Sequence, residues 1–351
     1  MQADRKGRSA LANSETQWYN APFSHIYVED CVWGSSEAQR VLARFPSAEI
    51  IRIRHYKDVF NRKKQNFRAQ HRSQALILAE KKGQLVYPGS PNCQDFGNAH
   101  FYYTSCMMNC VYNCEYCYLK GMYPTGNLVL FLNLDEIFDE VRKLCMHHPV
   151  YLCVSYDTDL MAVEPFAGYV RRWAGLTAET PNLTIEVRTK SGNLSLYPEL
   201  SPCSRVIFAY TLSPDSIIRR FEHGTGKLER RLAAANAARA QGFPIRLCFD
   251  PILFCRDWRN EYRTLVEQTF AAVPPDSVRD ISVGSFRLAP DYLKAMRRSE
   301  PCSAVVQYPY VRENGVYGYG AERAGEMVQF LVDELTCFVP ENKIFRWEEA
   351  E

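Results

Sequence analysis

The chain has 351 residues, 46% of them hydrophobic and 13% aromatic, which is an ordinary globular composition and excludes a mostly disordered polypeptide. That length accommodates one large α/β domain with a small extra element, or two domains. Lys and Arg total 42 against 40 for Asp and Glu, so the net charge of +2 excludes the global basic excess of a histone-like nucleic-acid binder and confines any polyanion site to a local face.

Residues 1–22 are polar, carry no apolar signal-peptide core and read as a loose tail. No apolar run approaches the roughly 18 residues of a membrane span, so a cytoplasmic protein with no membrane partner is expected. Over 23–95 a small α/β extension is expected, with strand-like Ile26-Tyr27-Val28, a helix-like run at 38–45 and strand-like Ile50-Ile51-Arg52-Ile53. A basic segment follows, containing Arg54, His55, Lys57, Arg62, Lys63, Lys64, Arg68, His71 and Arg72. It reads as either a solvated face or a phosphate-contacting one.

From about residue 100, strand-like runs at 101–105, 150–157, 183–190, 206–213, 245–253 and 281–286 alternate with helix-like runs, including 134–147, 228–241 and 258–273. This pattern predicts a parallel sheet covered by helices. Doubly wound sheets and full or partial barrels share it, and in each the chemistry belongs at the C-terminal ends of the strands. Near the end, the tyrosine-rich stretch 308–319 contains Asn314-Gly315 and predicts a β-hairpin with a tight turn.

The cysteines carry the strongest chemical signal. A secreted disulfide framework suits small domains, so thirteen cysteines in a chain this long point instead to a metal site in a reducing compartment. Cys110, Cys114 and Cys117, in the loop after the first barrel-type strand, have the spacing Cys-x3-Cys-x2-Cys. Three such thiolates can hold three irons of a 4Fe–4S cluster and leave the fourth iron open. Two other readings compete: zinc, with Cys106 completing a four-thiolate set in a zinc-stapled nucleic-acid-binding protein without catalysis, and a helix face on which the cysteines are small hydrophobes.

This spacing, with an aromatic before the last cysteine, resembles the radical S-adenosylmethionine superfamily. The wider string Cys114-Glu-Tyr116-Cys117-Tyr118-Leu119 resembles the spore photoproduct lyase family. Other segments match that family in order: Tyr27-Val28-Glu29, Cys153-Val-Ser155, Thr189-Lys190, Phe221-Glu222-His223-Gly224-Thr225 opening a helix, Asp250-Pro251-Ile252 followed by Trp258, Phe286-Arg287, and Tyr317-Gly318-Tyr319-Gly320. The resemblance spans about residues 24–349.

The resemblance implies a partial (β/α)6 TIM-type barrel over 96–351, preceded by the α/β extension and carrying the C-terminal hairpin. It implies a 4Fe–4S cluster on Cys110, Cys114 and Cys117, with S-adenosyl-L-methionine on the open iron and Ser155, Lys190, Thr211 and Asp250 around that cofactor. A 5′-deoxyadenosyl radical would then open the methylene bridge of the spore photoproduct, 5-thyminyl-5,6-dihydrothymine, in UV-damaged DNA and restore two thymines. Cys153 falls at the hydrogen-donor position, and Tyr116 and Tyr118 fall near the cofactor and the radical pathway. Tyr317 matches a DNA wedge, Arg287 a basic contact, and flavodoxin or ferredoxin the reductant. The chain departs from the family pattern at Asp250 (usually alanine), at Thr211 (serine), at Val316 (arginine) and in extra residues over Cys106–Cys110. These departures leave open another lesion, a modified nucleotide or a peptide as substrate.

Overall fold

The computed structural model describes residues 23–90 and 93–347, so the tail expected at 1–22 lies outside the described residues. Strands buried on both faces read as near-continuous apolar runs, and Val206–Thr211 is buried at every position. It lies in the main sheet, where Phe101–Tyr103, Val150–Cys153, Leu183–Thr189, Val206–Thr211, Ile245–Ile252 and Val278–Ser285 pair in parallel, each with the next. All six strand-like runs of the sequence are therefore strands of one sheet. Ile344–Arg346 extends one edge in parallel, and Tyr87–Pro88 closes the other edge antiparallel. These two edges do not pair with each other, so the barrel is partial.

The covering helices form where apolar residues recur on one stripe. Leu134–Cys145 buries Leu134, Ile137, Phe138, Val141 and Cys145, the i, i+3, i+4 pattern of a helix with one apolar face. Leu228–Ala240 and Trp258–Ala272 fill the other helix-like runs of the sequence. Phe221-Glu222-His223-Gly224-Thr225 does not open a helix. Phe221 ends the helix Asp215–Phe221, and Glu222–His223 pairs antiparallel with Asn113–Cys114 in the cysteine loop.

A second sheet runs in the order Glu49–Ile53, His25–Glu29, Leu76–Ala79, Leu128–Phe131, Met107–Met108. Its first four strands are parallel; the fifth is antiparallel, with Met107 opposite Leu130 and Met108 opposite Val129. The extra residues ahead of Cys110 thus form an edge strand that carries the cysteine loop across to the N-terminal sheet.

The expected hairpin is present. Val311–Glu313 and Val316–Gly318 pair around Asn314 and Gly315, whose φ values of +46° and +83° are those of a tight two-residue turn. Arg287–Leu288 pairs with the second strand on its other side, so the hairpin belongs to a three-stranded ribbon.

Candidate active site

A cavity of about 570 Å³ opens at the C-terminal ends of the parallel strands. Cys110, Cys114 and Cys117 line one side of it. Their loop is irregular, and the next helix begins only at Leu119, which removes the reading of three cysteines on one helix face. Side chains rather than secondary structure set its path. Asn109, at φ +70°, donates to the Thr125 and Asn127 carbonyls at 2.7 and 3.1 Å and accepts from the Cys110 N–H at 3.1 Å. Gln74 donates to the Cys110 carbonyl at 3.0 Å and to that of Gly126 at 2.8 Å.

Burial pushes all three thiols up, that of Cys114 to about 12, while the Lys190 ammonium draws Cys114 and Cys117 back down. Such thiols release their protons to a metal rather than to water. Cys106 stands apart, buried in the core with its Sγ 3.7 Å from the Val154 carbonyl, and does not line the cavity. Among the described residues, no three His, Cys, Asp or Glu side chains converge on a single point as one zinc ion requires. The donor set at the cavity is three soft thiols on one wall, which suits an iron–sulfur cluster with one open corner. On the same cavity, Thr158 Oγ1 and Arg287 Nε are buried without hydrogen-bond partners among the described residues, which fits a polar ligand beside the cluster.

Ser155, Lys190 and Thr211 lie at or just beyond the ends of three successive strands and line the same cavity. Ser155 Oγ accepts the Arg188 N–H at 2.7 Å. The Lys190 backbone N–H donates to Asp159 at 2.7 Å, and its side-chain ammonium lies 5.6 Å from the Tyr116 ring centroid. Tyr116 donates its hydroxyl to Glu222, and Glu222 in turn pairs with the fully buried Arg231. Burial opposes the Glu222 charge, but Arg231 and Lys190 outweigh it and hold the carboxyl below its usual range. Arg231 also donates to the Thr211 carbonyl at 2.9 Å, tying this strand end to the cysteine loop through Glu222 and Tyr116. Tyr118 donates to the Tyr156 carbonyl at 2.6 Å.

Asp250 and Arg287, which the resemblance assigns to different ligands, are partners here. The guanidinium meets the carboxylate with both terminal nitrogens, at 3.2 and 3.3 Å, and lies 4.4 Å from the centroid of the Trp347 ring. Gly284 makes room for the pair: a Cβ there would sit 2.8 Å from Arg287 and 3.0 Å from Asp250. The two remaining expected residues do not line the cavity. Strand alternation separates Tyr317 from it, because Val316 faces the cavity and adjacent strand residues point to opposite sides. Cys153 ends its strand buried, paired in register with Glu186 on one neighbour and Tyr103 on the other, and burial raises its thiol.

Sequence reasoning did not find the floor beneath this site. Arg246 binds Glu186 and Asp280, Tyr151 donates to Glu186 at 2.5 Å, and the Phe96 ring lies 3.2 Å from the Arg246 guanidinium. Burial opposes the Glu186 charge, yet Arg188 and Arg246 hold its carboxyl down to about 2. The one available signal was the placement of Glu186 and Arg246 in otherwise apolar strand runs, where a charge needs a partner. Tyr156 was also missed. It lines the cavity, stacks on Tyr103 at 4.1 Å and holds the Cys93 sulfur at 3.6 Å.

Comparison with known proteins places these features in context. The family model for spore photoproduct lyase matches residues 97–301. The chain is 24% identical over 177 residues to the spore photoproduct lyase of Bacillus subtilis (strain 168), covering 49% of this chain and 52% of that protein. It is 21% identical over 165 residues to that of Clostridium acetobutylicum, covering 45% and 48%. The chain thus spans about half the length of the curated relatives it matches. In three dimensions the likeness is more complete. A double-mutant spore photoproduct lyase with bound AdoMet and dinucleoside spore photoproduct superposes with a TM-score of 0.79 at 16% identity, over 94% of this chain and 99% of the other. A spore photoproduct lyase complexed with the dinucleoside alone gives 0.79 at 16% identity, over 93% and 98%. These likenesses establish the partial-barrel fold. No helix among the described residues is long and apolar enough to cross a membrane.

Proposed function

Because this chain belongs to the spore photoproduct lyase family, we propose that it is a radical S-adenosylmethionine lyase that returns the spore photoproduct in UV-damaged DNA to two thymines. The observation that carries this reading is the single cavity shared by Cys110, Cys114, Cys117, Ser155, Lys190 and Thr211. When bound, the 4Fe–4S cluster and S-adenosyl-L-methionine supply a 5′-deoxyadenosyl radical; the protein contributes binding, orientation and exclusion of water.

Cys110, Cys114 and Cys117 hold the cluster as thiolates. Lys190 pairs the carboxylate of S-adenosylmethionine, and the Ser155 and Thr211 hydroxyls bond its polar groups. Tyr116, held by Glu222, fixes the cysteine loop beside that cofactor, and Tyr118 forms the wall between the thiols and Tyr156. Cys153 does not itself line the cavity but ends its strand two residues before the cavity-lining Ser155, from where it would give a hydrogen atom to the thymine radical, its S–H bond breaking to leave a thiyl radical. Its raised thiol stays protonated at neutral pH, as a hydrogen donor must. The ribbon carrying Val316 and Tyr317 borders the cavity mouth, where a lesion extruded from the duplex enters. A cytoplasmic location and a flavodoxin- or ferredoxin-type reductant complete the reading; the cysteines of the described residues are all free thiols, as a reducing compartment requires.

The decisive experiment is anaerobic reconstitution followed by turnover of a defined dinucleotide photoproduct. Thymine release supports the reading, and protein that cleaves S-adenosylmethionine yet releases no thymine overturns the substrate. One observation favours such a change of substrate: the Asp250–Arg287 pair and Val316 together neutralise and uncharge a wall that the family pattern makes basic. In that second reading the radical chemistry is kept and a different lesion or modified nucleotide is bound.

A further inference from the structure

The basic segment 54–72 plays no part in the cavity: none of its residues lines it. Its structure is nevertheless well defined. Val59, Phe60, Phe67 and His71 are buried, and Phe60 packs edge-on against Tyr123 at 5.3 Å. Phe67 lies 5.8 Å from the Lys120 ammonium, two residues past the Cys117-Tyr118 end of the cysteine loop. With these residues turned inward, the outer surface is left to Lys57, Arg62, Lys63, Lys64, Arg68 and Arg72, all exposed. None of the six forms an ion pair with another described residue, and Asp58 is the one acid in the segment. A cluster of like charges at this density raises the local potential and costs stability through self-repulsion, a cost that a partner of opposite charge would relieve.

The position of the face selects that partner. Gln74, just past the segment, donates to the Cys110 carbonyl and contacts the His71 ring at 3.4 Å, so the basic face backs directly onto the first thiol of the loop. A partner seated there approaches Cys110 through the protein without entering the cavity. A damaged duplex, in contrast, must present its lesion at the mouth, which the Arg287 and Val316 ribbon borders. We propose that the cationic face of residues 54–72 is the docking surface for a small acidic one-electron donor protein. The proposal rests on the cluster reading given under Proposed function and adds the place of electron entry. One electron would leave the donor, whose flavin hydroquinone would become the semiquinone, and would enter the group that Cys110, Cys114 and Cys117 are proposed to hold. Complexes of this kind are small, charge-steered and sensitive to salt.

The test is a triple variant, Arg62→Glu, Lys63→Glu and Arg68→Glu, compared with the unmodified protein in three measurements after an unchanged thermal melt confirms folding. The first is affinity for an acidic flavodoxin at low and at physiological salt. The second is 5′-deoxyadenosine formation driven by that flavodoxin or by dithionite. The third is affinity for an undamaged oligonucleotide. The proposal expects flavodoxin affinity to fall about tenfold or more at low salt. Flavodoxin-driven cleavage should fall with it, while dithionite-driven cleavage and oligonucleotide affinity stay unchanged. Unchanged flavodoxin affinity, or no flavodoxin binding by the unmodified protein, overturns it. A loss of oligonucleotide affinity without a loss of flavodoxin affinity also overturns it and assigns the face to nucleic acid. Flavodoxin binding that depends on these residues in protein that cleaves no S-adenosylmethionine with either reductant sinks the cluster reading and leaves the docking surface standing.

Discussion

At the inner end of the cavity, Cys110, Cys114, Cys117, Ser155, Lys190 and Thr211, the residues we propose to hold the cofactors, face one space. At the mouth, two charged side chains that the pattern keeps separate have joined, Asp250 with Arg287, and Val316 stands in place of an arginine. On the proposed reading the inner end is constrained by chemistry: three thiols and a cation would have to meet a cluster and a sulfonium nucleoside, and few other arrangements serve. The mouth is constrained by the shape and charge of whatever enters, and it can change without disturbing the inner end. On the proposed reading, cofactor chemistry and substrate recognition would be built from different residues of the same strand ends.

The comparison can be broken or sharpened at several points. Removing an inner ligand has the largest effect. Cys114→Ala is expected to abolish 5′-deoxyadenosine formation and to drop the iron content of reconstituted protein, measured by metal analysis; full iron retention would remove this thiol from the ligand set. The floor comes next. Glu186→Gln removes one member of a buried network and should cost about 3 kcal/mol of unfolding free energy in a denaturant titration, because Arg246 keeps only Asp280 as an anionic partner. The same carboxyl makes an acid-stability prediction. Its folded value of about 2 lies below its ordinary 4.5, so its contribution is present above pH 4.5 and is lost as the pH falls towards 2. A Glu186→Gln protein should show a flatter decline in stability across that window.

Cys153→Ala should leave cofactor cleavage intact while the thymine yield falls about tenfold or more, equivalent to about 1.4 kcal/mol or more of barrier. An unchanged yield would take this thiol out of the reaction and turn attention to the other end of the Tyr103–Tyr156 stack. Tyr317→Ala should weaken binding of photoproduct-containing DNA by about 1 kcal/mol, the low end for a stacking aromatic, since Val316 rather than Tyr317 faces the cavity. The smallest effect tests the mouth. Asp250→Ala frees one guanidinium, so DNA binding should tighten slightly, with a salt slope steeper by about 0.9. An unaltered slope would mean that Arg287 never meets a phosphate.

Much of this was legible in the sequence, for physical reasons. Apolar runs of the right length specify parallel strands, and three thiols within eight positions are local, so spacing alone brings them together. The Asn314-Gly315 turn was legible because left-handed backbone selects those residues. What was not legible depends on register between distant strands. Asp250 and Arg287 lie 37 positions apart, and Glu186 and Arg246 lie 60 apart. Asp250 and Arg287 meet because parallel pairing sets the ends of Ile245–Ile252 and Val278–Ser285 side by side, and Glu186 and Arg246 meet across the intervening strand Val206–Thr211. Phe221–Thr225 was misread as a helix start because its pairing with Asn113–Cys114 is likewise long-range. Cys106 could be read as a fourth thiolate because its actual surroundings come from another strand end, at Val154.

The edge strand Met107–Met108 gives the N-terminal sheet a direct hold on the cysteine loop. Leu128–Phe131, on the far side of the loop, pairs with Met107–Met108 on one edge and with Leu76–Ala79 on the other, so both flanks of the thiol segment are fastened, one through the other, to the sheet that residues 25–79 begin. Excising the first eighty residues to obtain a minimal catalyst would therefore unmoor the thiols themselves. A shortened version should lose its grip on iron well before its barrel melts.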